Sequence, residues 1–226
     1  MTQNANTNAR AIRPLRRDAE RNRLRILAAA RTVLARRGLE ASLDEVAREA
    51  GLGIGTVYRR FPGRQALFDA LIAEVLGTID GIIAEARARP RAWEGLAYFL
   101  VEMLRSQAAD KSLRDVMLAG AVHGRPRDGG LREKIRATLC DLVQGAQQAG
   151  DVRPDLAPTD IAVLQVAVLG IIEFVGPVAP DVWRRYLALI LESLRGRPSR
   201  AALHPPALTE ADLETCVAAW RYGATR

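Results

Sequence analysis

Apolar side chains recur every three or four residues along most of the 226-residue chain, which is the spacing of helices with one buried face. Glycine and proline interrupt this pattern at intervals, for example at Gly38, Gly51 and Pro90. No segment alternates apolar and polar residues over the length of a strand, so the sequence predicts an all-α fold. The predicted helices cover about 18–37, 43–50, 54–61, 64–89, 92–109, 112–121, 130–149, 158–176, 180–195 and 209–222.

Two short helices over about 42–61 have the clearest start and stop signals. Ser42 followed by Glu45 is a capping box, in which each residue satisfies a backbone amide of the other. Residues 51–53, Gly-Leu-Gly, predict a tight turn, and residues 61–63, Phe-Pro-Gly, end the second helix. Two short helices joined by a glycine-containing turn predict a helix-turn-helix.

The positive charge is concentrated near the N-terminus. The whole chain carries +7, yet residues 1–64 hold 14 arginines and 6 acidic residues, a net charge of +8. Residues 65–226 hold 19 basic and 20 acidic residues and are nearly neutral. This asymmetry predicts that the N-terminal part meets a polyanion. Residues 1–17 are polar and rich in arginine without apolar periodicity, and they predict a disordered basic arm.

Other classes of function find little support in the sequence. Cys140 and Cys216 are far apart at apolar helical positions, which predicts buried thiols, and His123 and His204 form no metal-binding spacing. We therefore expect no metal, no cofactor and no enzyme activity. The N-terminus has no apolar segment typical of a signal peptide, and no uninterrupted run of 18 apolar residues occurs. These features predict a cytoplasmic protein without a membrane partner.

Residues 54–61 divide into two faces on a helical wheel. The apolar face is predicted to anchor the helix. The other face carries arginine, which can pair with O6 and N7 of guanine in the major groove, and threonine, which can bond to bases or contact a thymine methyl. Glycine on this face allows close approach, and the basic charge around it favours DNA as the partner. The inward residues are Ile54, Val57 and Phe61, and the outward ones are Gly55, Thr56, Arg59 and Arg60, with the Tyr58 ring inward and its hydroxyl reaching outward.

The run SLDEVAREAGLGIGTVYRRFPGRQALFDAL (42–71) resembles the DNA-binding signature of the TetR family of bacterial regulators. The resemblance implies a helix-turn-helix domain at about 18–64, followed by a helical ligand-binding and dimerisation domain at 65–226 that ends in the helix at 209–222. Residues 149–171 also look like the turn and helix that precede the family's dimer interface. By position, the resemblance implies DNA contacts for Thr56, Tyr58, Arg59 and Arg60, and phosphate contacts for Ser42 and for Arg64, where the family usually has lysine.

The C-terminal part offers candidates for two further surfaces. Apolar stretches with few polar groups would suit a hydrophobic or amphipathic ligand, although plain core is the competing interpretation. Two adjacent apolar helix faces predict a homodimer interface, and packing inside one chain is the alternative. The candidate pocket residues are Trp93, Tyr98, Phe99, Met103, Met117, His123, Leu139, Gln165, Leu169 and Phe174. The candidate interface residues are Ile161, Leu164, Val168, Ile172, Trp183, Leu187, Ile190 and Leu191.

These features predict a homodimeric transcriptional repressor that a small molecule releases from a palindromic double-stranded DNA operator. The long helix that begins at Arg64 would carry the signal from the ligand to the DNA-binding part. Two alternatives stay open: a helical small-molecule-binding protein or enzyme with an incidental basic hairpin, and a DNA-binding activator that needs no ligand.

Overall fold

In the computed structural model, the described residues are 5–37, 41–109, 130–196 and 201–223, and the fold over these ranges is all-α. An isolated antiparallel bridge between Val152 and Arg195 is the only extended pairing among them. The predicted fold class is confirmed. The helices within the described ranges are α1 (Ala5–Arg37), α2 (Leu43–Ala50), α3 (Ile54–Arg60), α4 (Arg64–Arg87), α5 (Ala92–Ala109), α6 (Leu131–Gln148), α7 (Pro158–Val175), α8 (Trp183–Leu194) and α9 (Glu210–Gly223).

The predicted helices differ from these bounds by at most a few residues, except at the start of α1. That helix begins at Ala5, so residues 5–17 are helical where the sequence predicts a disordered arm. Alanine and arginine, which are frequent there, have high helix propensity. Apolar periodicity does not reveal this propensity, because it depends only on the spacing of hydrophobic residues. The predicted helix at 112–121 lies outside the described residues.

The chain divides into two compact units, Met1–Glu74 and Val75–Arg226. We call them the N-terminal and the C-terminal unit. The boundary falls ten residues after the one expected at Arg64, because Leu67 and Leu71 of α4 belong to the core that α1, α2 and α3 form. Ile26, Leu27 and Val57 are among the most buried residues of this core.

The core of the C-terminal unit lies among the second part of α4 and helices α5, α6 and α7. Phe99, Leu96 and Ile161 are fully buried there. A second, smaller cluster joins Leu104 of α5 and Val168 of α7 to Trp183 and Leu187 of α8. Helix α8 therefore packs through one face onto α7 and α5.

Residues 201–208, which precede α9, are fastened to the turn between α6 and α7. The Arg153 guanidinium donates a hydrogen bond to the carbonyl of Ala201 (3.0 Å), and the Asp155 carboxylate accepts one from the amide of Leu203 (2.8 Å). Thr159 donates from its hydroxyl to the carbonyl of Leu208 (2.8 Å). The Arg153 side chain, followed by the Leu203 amide, lowers the pKa of Asp155 well below its usual range. The carboxylate is therefore ionised when it holds this segment in place.

Helix α9 begins at the predicted cap, where the Thr209 hydroxyl accepts a hydrogen bond from the amide of Asp212 (3.1 Å). Along this helix, Leu213 and Val217 are only partly buried. Cys216 is exposed, so the prediction that both thiols are buried is wrong for this residue, and Cys140 is only partly buried.

Helix α7 is long and apolar enough to cross a membrane by length and composition, and only 22% of it is buried. The reason is that α7 is apolar on two sides. Ile161 and Val168 face the core, whereas Val163, Val166 and Phe174 are exposed, Phe174 by 86%. Helix α8 is similar, with Leu189 exposed on the side opposite its buried residues and Tyr186 exposed at the edge of that side.

The residues expected to face a second copy are therefore the inner ones. Ile161, Val168, Trp183 and Leu187 are buried in the chain's own core and cannot reach a partner. The other four are partly buried and pack against the same two clusters: Leu164, Ile172, Ile190 and Leu191. On helices that are apolar on both sides, periodicity finds two stripes and does not show which of them faces outward.

Candidate nucleic-acid interface

Helix α2 is fixed at its start by the predicted capping box, which the structure confirms. The Ser42 hydroxyl accepts a hydrogen bond from the Glu45 amide (3.2 Å), and the Glu45 carboxylate accepts from the Ser42 amide (3.0 Å). The same carboxylate lies 3.0 Å from the Ser42 hydroxyl, which donates to it. Because that hydrogen is already donated, a phosphate at Ser42 would have to compete with Glu45. The role of Ser42 as a phosphate contact stays a prediction.

We expect Ser42→Ala to lower the free energy of unfolding by about 1 kcal/mol, because the Glu45 amide loses its partner. Urea denaturation followed by circular dichroism measures this change. The matched control is Thr32→Ala on α1, whose hydroxyl bonds to the carbonyl of Ala28 and caps no helix. Equal stability of the Ser42 variant and wild type would show that the capping box contributes nothing.

The same box makes stability depend on pH. The Ser42 amide, and then the Ser42 hydroxyl, lower the pKa of Glu45 from its usual value of 4.5. Since the pKa is lower in the folded chain, this contribution is present above pH 4.5 and is lost as the pH falls through the folded pKa. Glu45→Gln should therefore flatten the acid side of the stability curve.

The turn after α2 depends on a glycine and on an arginine of α1. Gly51 has φ of 62°, the left-handed region, and its amide closes the last turn onto the carbonyls of Ala47 and Arg48. The Arg25 guanidinium donates to the neighbouring carbonyl of Ala50 (2.7 Å). These bonds fix the direction in which α3 leaves the turn.

Helix α3 is held by Val57 and by Phe61 just after its end, both of them buried. Ile54, predicted to anchor the helix with them, is instead 38% exposed, and Tyr58 is 49% exposed. The prediction for Ile54 is wrong because the core contacts only a narrow side of this seven-residue helix, centred on Val57. The outward side is therefore rotated relative to the predicted one, and Ile54 and Tyr58 border Gly55 on it.

Arg59 and Thr56 form a pair on the surface of α3. The Arg59 guanidinium donates to the Thr56 hydroxyl over 3.4 Å, and Thr56 is half-buried. Arg59 is exposed and forms no ion pair with any residue that the structure describes. Its guanidinium therefore keeps most of its donors for a partner outside the chain.

The other two basic candidates have neighbours. Arg60 is exposed and lies 3.6 Å from the carboxylate of Glu20, a weak surface pair. Arg64, the first residue of α4, is also exposed, and its guanidinium sits 5.3 Å from the centre of the Phe68 ring. Both charges remain open to solvent, so each can reach an anion, although Arg60 must first leave Glu20.

The surface of α3 thus combines donors for base edges with an open backbone. Guanidinium and hydroxyl groups match the acceptors of the major groove and of phosphates. Apart from its two chain neighbours and the backbone of its own helix, a Cβ atom added at Gly55 would meet no described atom within 4 Å, so this part of α3 has open space above it. Sequence reasoning missed Ile54 as an outward residue, and no signal in the sequence distinguishes it from an anchor.

The residues predicted to line a ligand pocket have different positions in the C-terminal unit. Phe99, Met103 and Leu139 are core, and Leu169 packs beside the second cluster. Trp93 and Tyr98 are half-buried beneath the guanidinium groups of Arg195 and Arg89. Phe174 is wrong as a pocket residue because it is exposed on the outer side of α7. Met117 and His123 lie outside the described residues.

Gln165 differs from the other pocket candidates. Its Nε2 atom on α7 is buried and has no hydrogen-bond partner among the residues that the structure describes. A buried amide without a partner costs free energy, so polar residues at such positions usually have a role in binding or water coordination.

The chain matches two family models. Residues 26–71 match the model described as bacterial regulatory proteins of the tetR family, and residues 91–196 match the C-terminal domain of SbtR-like transcriptional regulators. The first match includes α2, α3 and the turn between them. The second ends at the last residue before the segment that leads to α9.

Curated proteins and solved structures agree with these models. Over 115 residues, the chain is 27% identical to the HTH-type transcriptional regulator SrpR of Pseudomonas putida. These residues make up 48% of this chain and 54% of SrpR, so the chain spans about half the length of this relative. It is 34% identical to a TetR transcription regulatory protein of Mycobacterium vanbaalenii, covering 80% of this chain and 99% of that one, with a TM-score of 0.50. A TetR regulator of Streptomyces coelicolor is 30% identical, covering 77% and 98%, with a TM-score of 0.52.

Proposed function

The chain belongs to the TetR family of DNA-binding transcriptional regulators, and we propose that it is a homodimeric repressor that a small molecule releases from a palindromic operator. The observation that carries the proposal is the surface of α3, where Tyr58 and Arg59 are exposed while Val57 anchors the helix. In this assignment α3 enters the major groove, with Thr56, Tyr58, Arg59 and Arg60 contacting DNA and Gly55 allowing close approach. Ser42 and Arg64 contact phosphates.

The exposed sides of α7 and α8 support the homodimer. Six of the eleven large apolar side chains that are exposed in the described residues lie between 163 and 189. Soluble monomers rarely leave such a group in water, whereas a second copy would bury it. A two-fold interface there would set two α3 helices against two half-sites. The interface residues of this proposal are Val163, Val166, Phe174, Val178, Tyr186 and Leu189.

Gln165 supports a ligand in the C-terminal unit. The Gln165 amide, which has no partner within the described ranges, lies on α7, and other residues of α7 pack among apolar residues of α5 and α8. Such a site suits a mainly apolar molecule with one acceptor group. We propose that Met103 and Leu169 belong to the walls of this site. The protein then acts on gene expression in the bacterial cytoplasm, at the nucleoid, and catalyses no reaction.

The proposal is tested by binding to DNA upstream of the protein's own gene. Footprinting should show one protected palindrome, and a compound library should contain a molecule that releases the protein from it. Binding to the palindrome that no compound reverses would favour an activator that needs no ligand. Compound binding without salt-dependent affinity for duplex DNA would favour a small-molecule-binding protein and contradict the proposal.

A further inference from the structure

We propose that Ile54 contacts the 5-methyl group of a thymine in each operator half-site and thereby determines part of the sequence specificity. This inference rests on the DNA-binding role of α3 proposed above. It adds a base-reading residue that is neither charged nor polar.

The exposure of Ile54 is the first observation. Val57 and Phe61 fill the core side of α3, and Ile54 lies outside that contact with 38% of its surface in water. An exposed isoleucine at one position is common on protein surfaces. Here, however, the isoleucine stands at the start of the helix that presents the donors Thr56 and Arg59.

The neighbours of Ile54 form the second observation. Tyr58 follows one helical turn later, and side chains four residues apart lie side by side on a helix. Tyr58 is also exposed, so an aliphatic and an aromatic side chain occupy adjacent positions on the outward side. Gly55 beside them adds no side chain, and the space above it is empty. Ile54 and Tyr58 thus form a small apolar strip, with Arg59 on the other side of Gly55.

The chemistry of the major groove limits what this strip can recognise. Base edges there present hydrogen-bond donors and acceptors, and their one apolar group is the thymine methyl. Ile54 has no hydrogen-bonding side-chain atom, so a donor or acceptor facing it would lose its water without a replacement. The strip therefore favours thymine over cytosine, whose edge presents an amino group.

The test removes only the methyl group. The operator is first obtained by selecting random duplex DNA with the purified full-length chain, and each thymine is then replaced in turn by deoxyuridine. We expect the replacement of one thymine in a half-site to weaken wild-type binding about fourfold, which corresponds to the burial of one methyl group. With Ile54→Ala, the same replacement should leave the affinity unchanged. Ile54→Val should keep part of the effect.

The matched control is Leu24→Ala, which removes an exposed aliphatic side chain from α1 in the same unit. This variant should keep the full response to deoxyuridine. The inference is overturned if no thymine methyl affects wild-type binding, or if the response persists in Ile54→Ala. A chain that selects no sequence at all would instead contradict the proposed function.

Discussion

Leu189→Glu is expected to convert the proposed dimer into a monomer and to abolish operator binding at concentrations where the wild type is fully bound. Leu189 is 59% exposed in the single chain and lies one turn after Tyr186 on the outer side of α8. In a two-fold interface each copy would bury its glutamate against the apolar side chains of the other copy. Removing a carboxylate from water in this way costs several kcal/mol for each copy. Sedimentation velocity measures the change in mass.

The control for this substitution is Leu24→Glu, which places the same charge at an exposed leucine of α1. That variant should sediment as the wild type does. A dimeric Leu189→Glu protein would show that the outer side of α8 is not the interface. Loss of helical circular dichroism would indicate misfolding, and Tyr186→Glu then tests the same surface at a neighbouring position.

Most helix bounds can be predicted from the sequence because glycine and proline residues mark the ends of the helices. Gly51, Pro62 and Pro90 end helices or follow their ends, and the caps at Ser42 and Thr209 begin two others. These are local effects, in which a residue acts on backbone atoms within four positions. Tertiary context changes them little, so they can be predicted without knowing the fold.

The direction of each helix face is harder to predict. Ile54 is as apolar as Val57, yet Val57 is buried and Ile54 is exposed. The difference depends on how wide a side of α3 the neighbouring helices cover, which is a property of packing. The same applies to α7, where Val168 faces the core and Val166 faces out. Hydrophobicity alone cannot separate a residue that packs within its chain from one available to a second copy.

The start of α1 illustrates a third limit. Residues 5–17 have no apolar stripe, so periodicity predicts no helix, while the backbone continues the helix that is anchored from Ile26 onward. Extending an existing helix avoids the cost of nucleation and adds one hydrogen bond per residue, except at Arg10, whose carbonyl faces Pro14 and its missing amide hydrogen. A segment of suitable propensity can therefore be helical when its neighbour is fixed.

Arg59→Ala is expected to weaken operator binding by at least about 30-fold, because each of two half-sites loses a contact worth roughly 1–3 kcal/mol. Arg59 is exposed on α3, and within the part of the chain that the structure describes it donates only a long hydrogen bond to Thr56. Arg59→Lys keeps the charge but cannot form a bidentate pair with guanine, so it should recover only a small part of the affinity. Fluorescence anisotropy at fixed salt measures these affinities.

Arg36→Ala is the matched control for Arg59→Ala, because Arg36 is an exposed arginine of the same unit that is already paired with Glu49. It should bind the operator nearly as the wild type does.

The ratio of operator affinity to non-specific DNA affinity then distinguishes two roles of Arg59. If Arg59 reads a base, this ratio falls in Arg59→Ala while the salt dependence of binding changes little. If it contacts phosphate, both affinities fall together and the salt slope decreases by about one per contact. An unchanged affinity would show that α3 does not bind DNA through this residue.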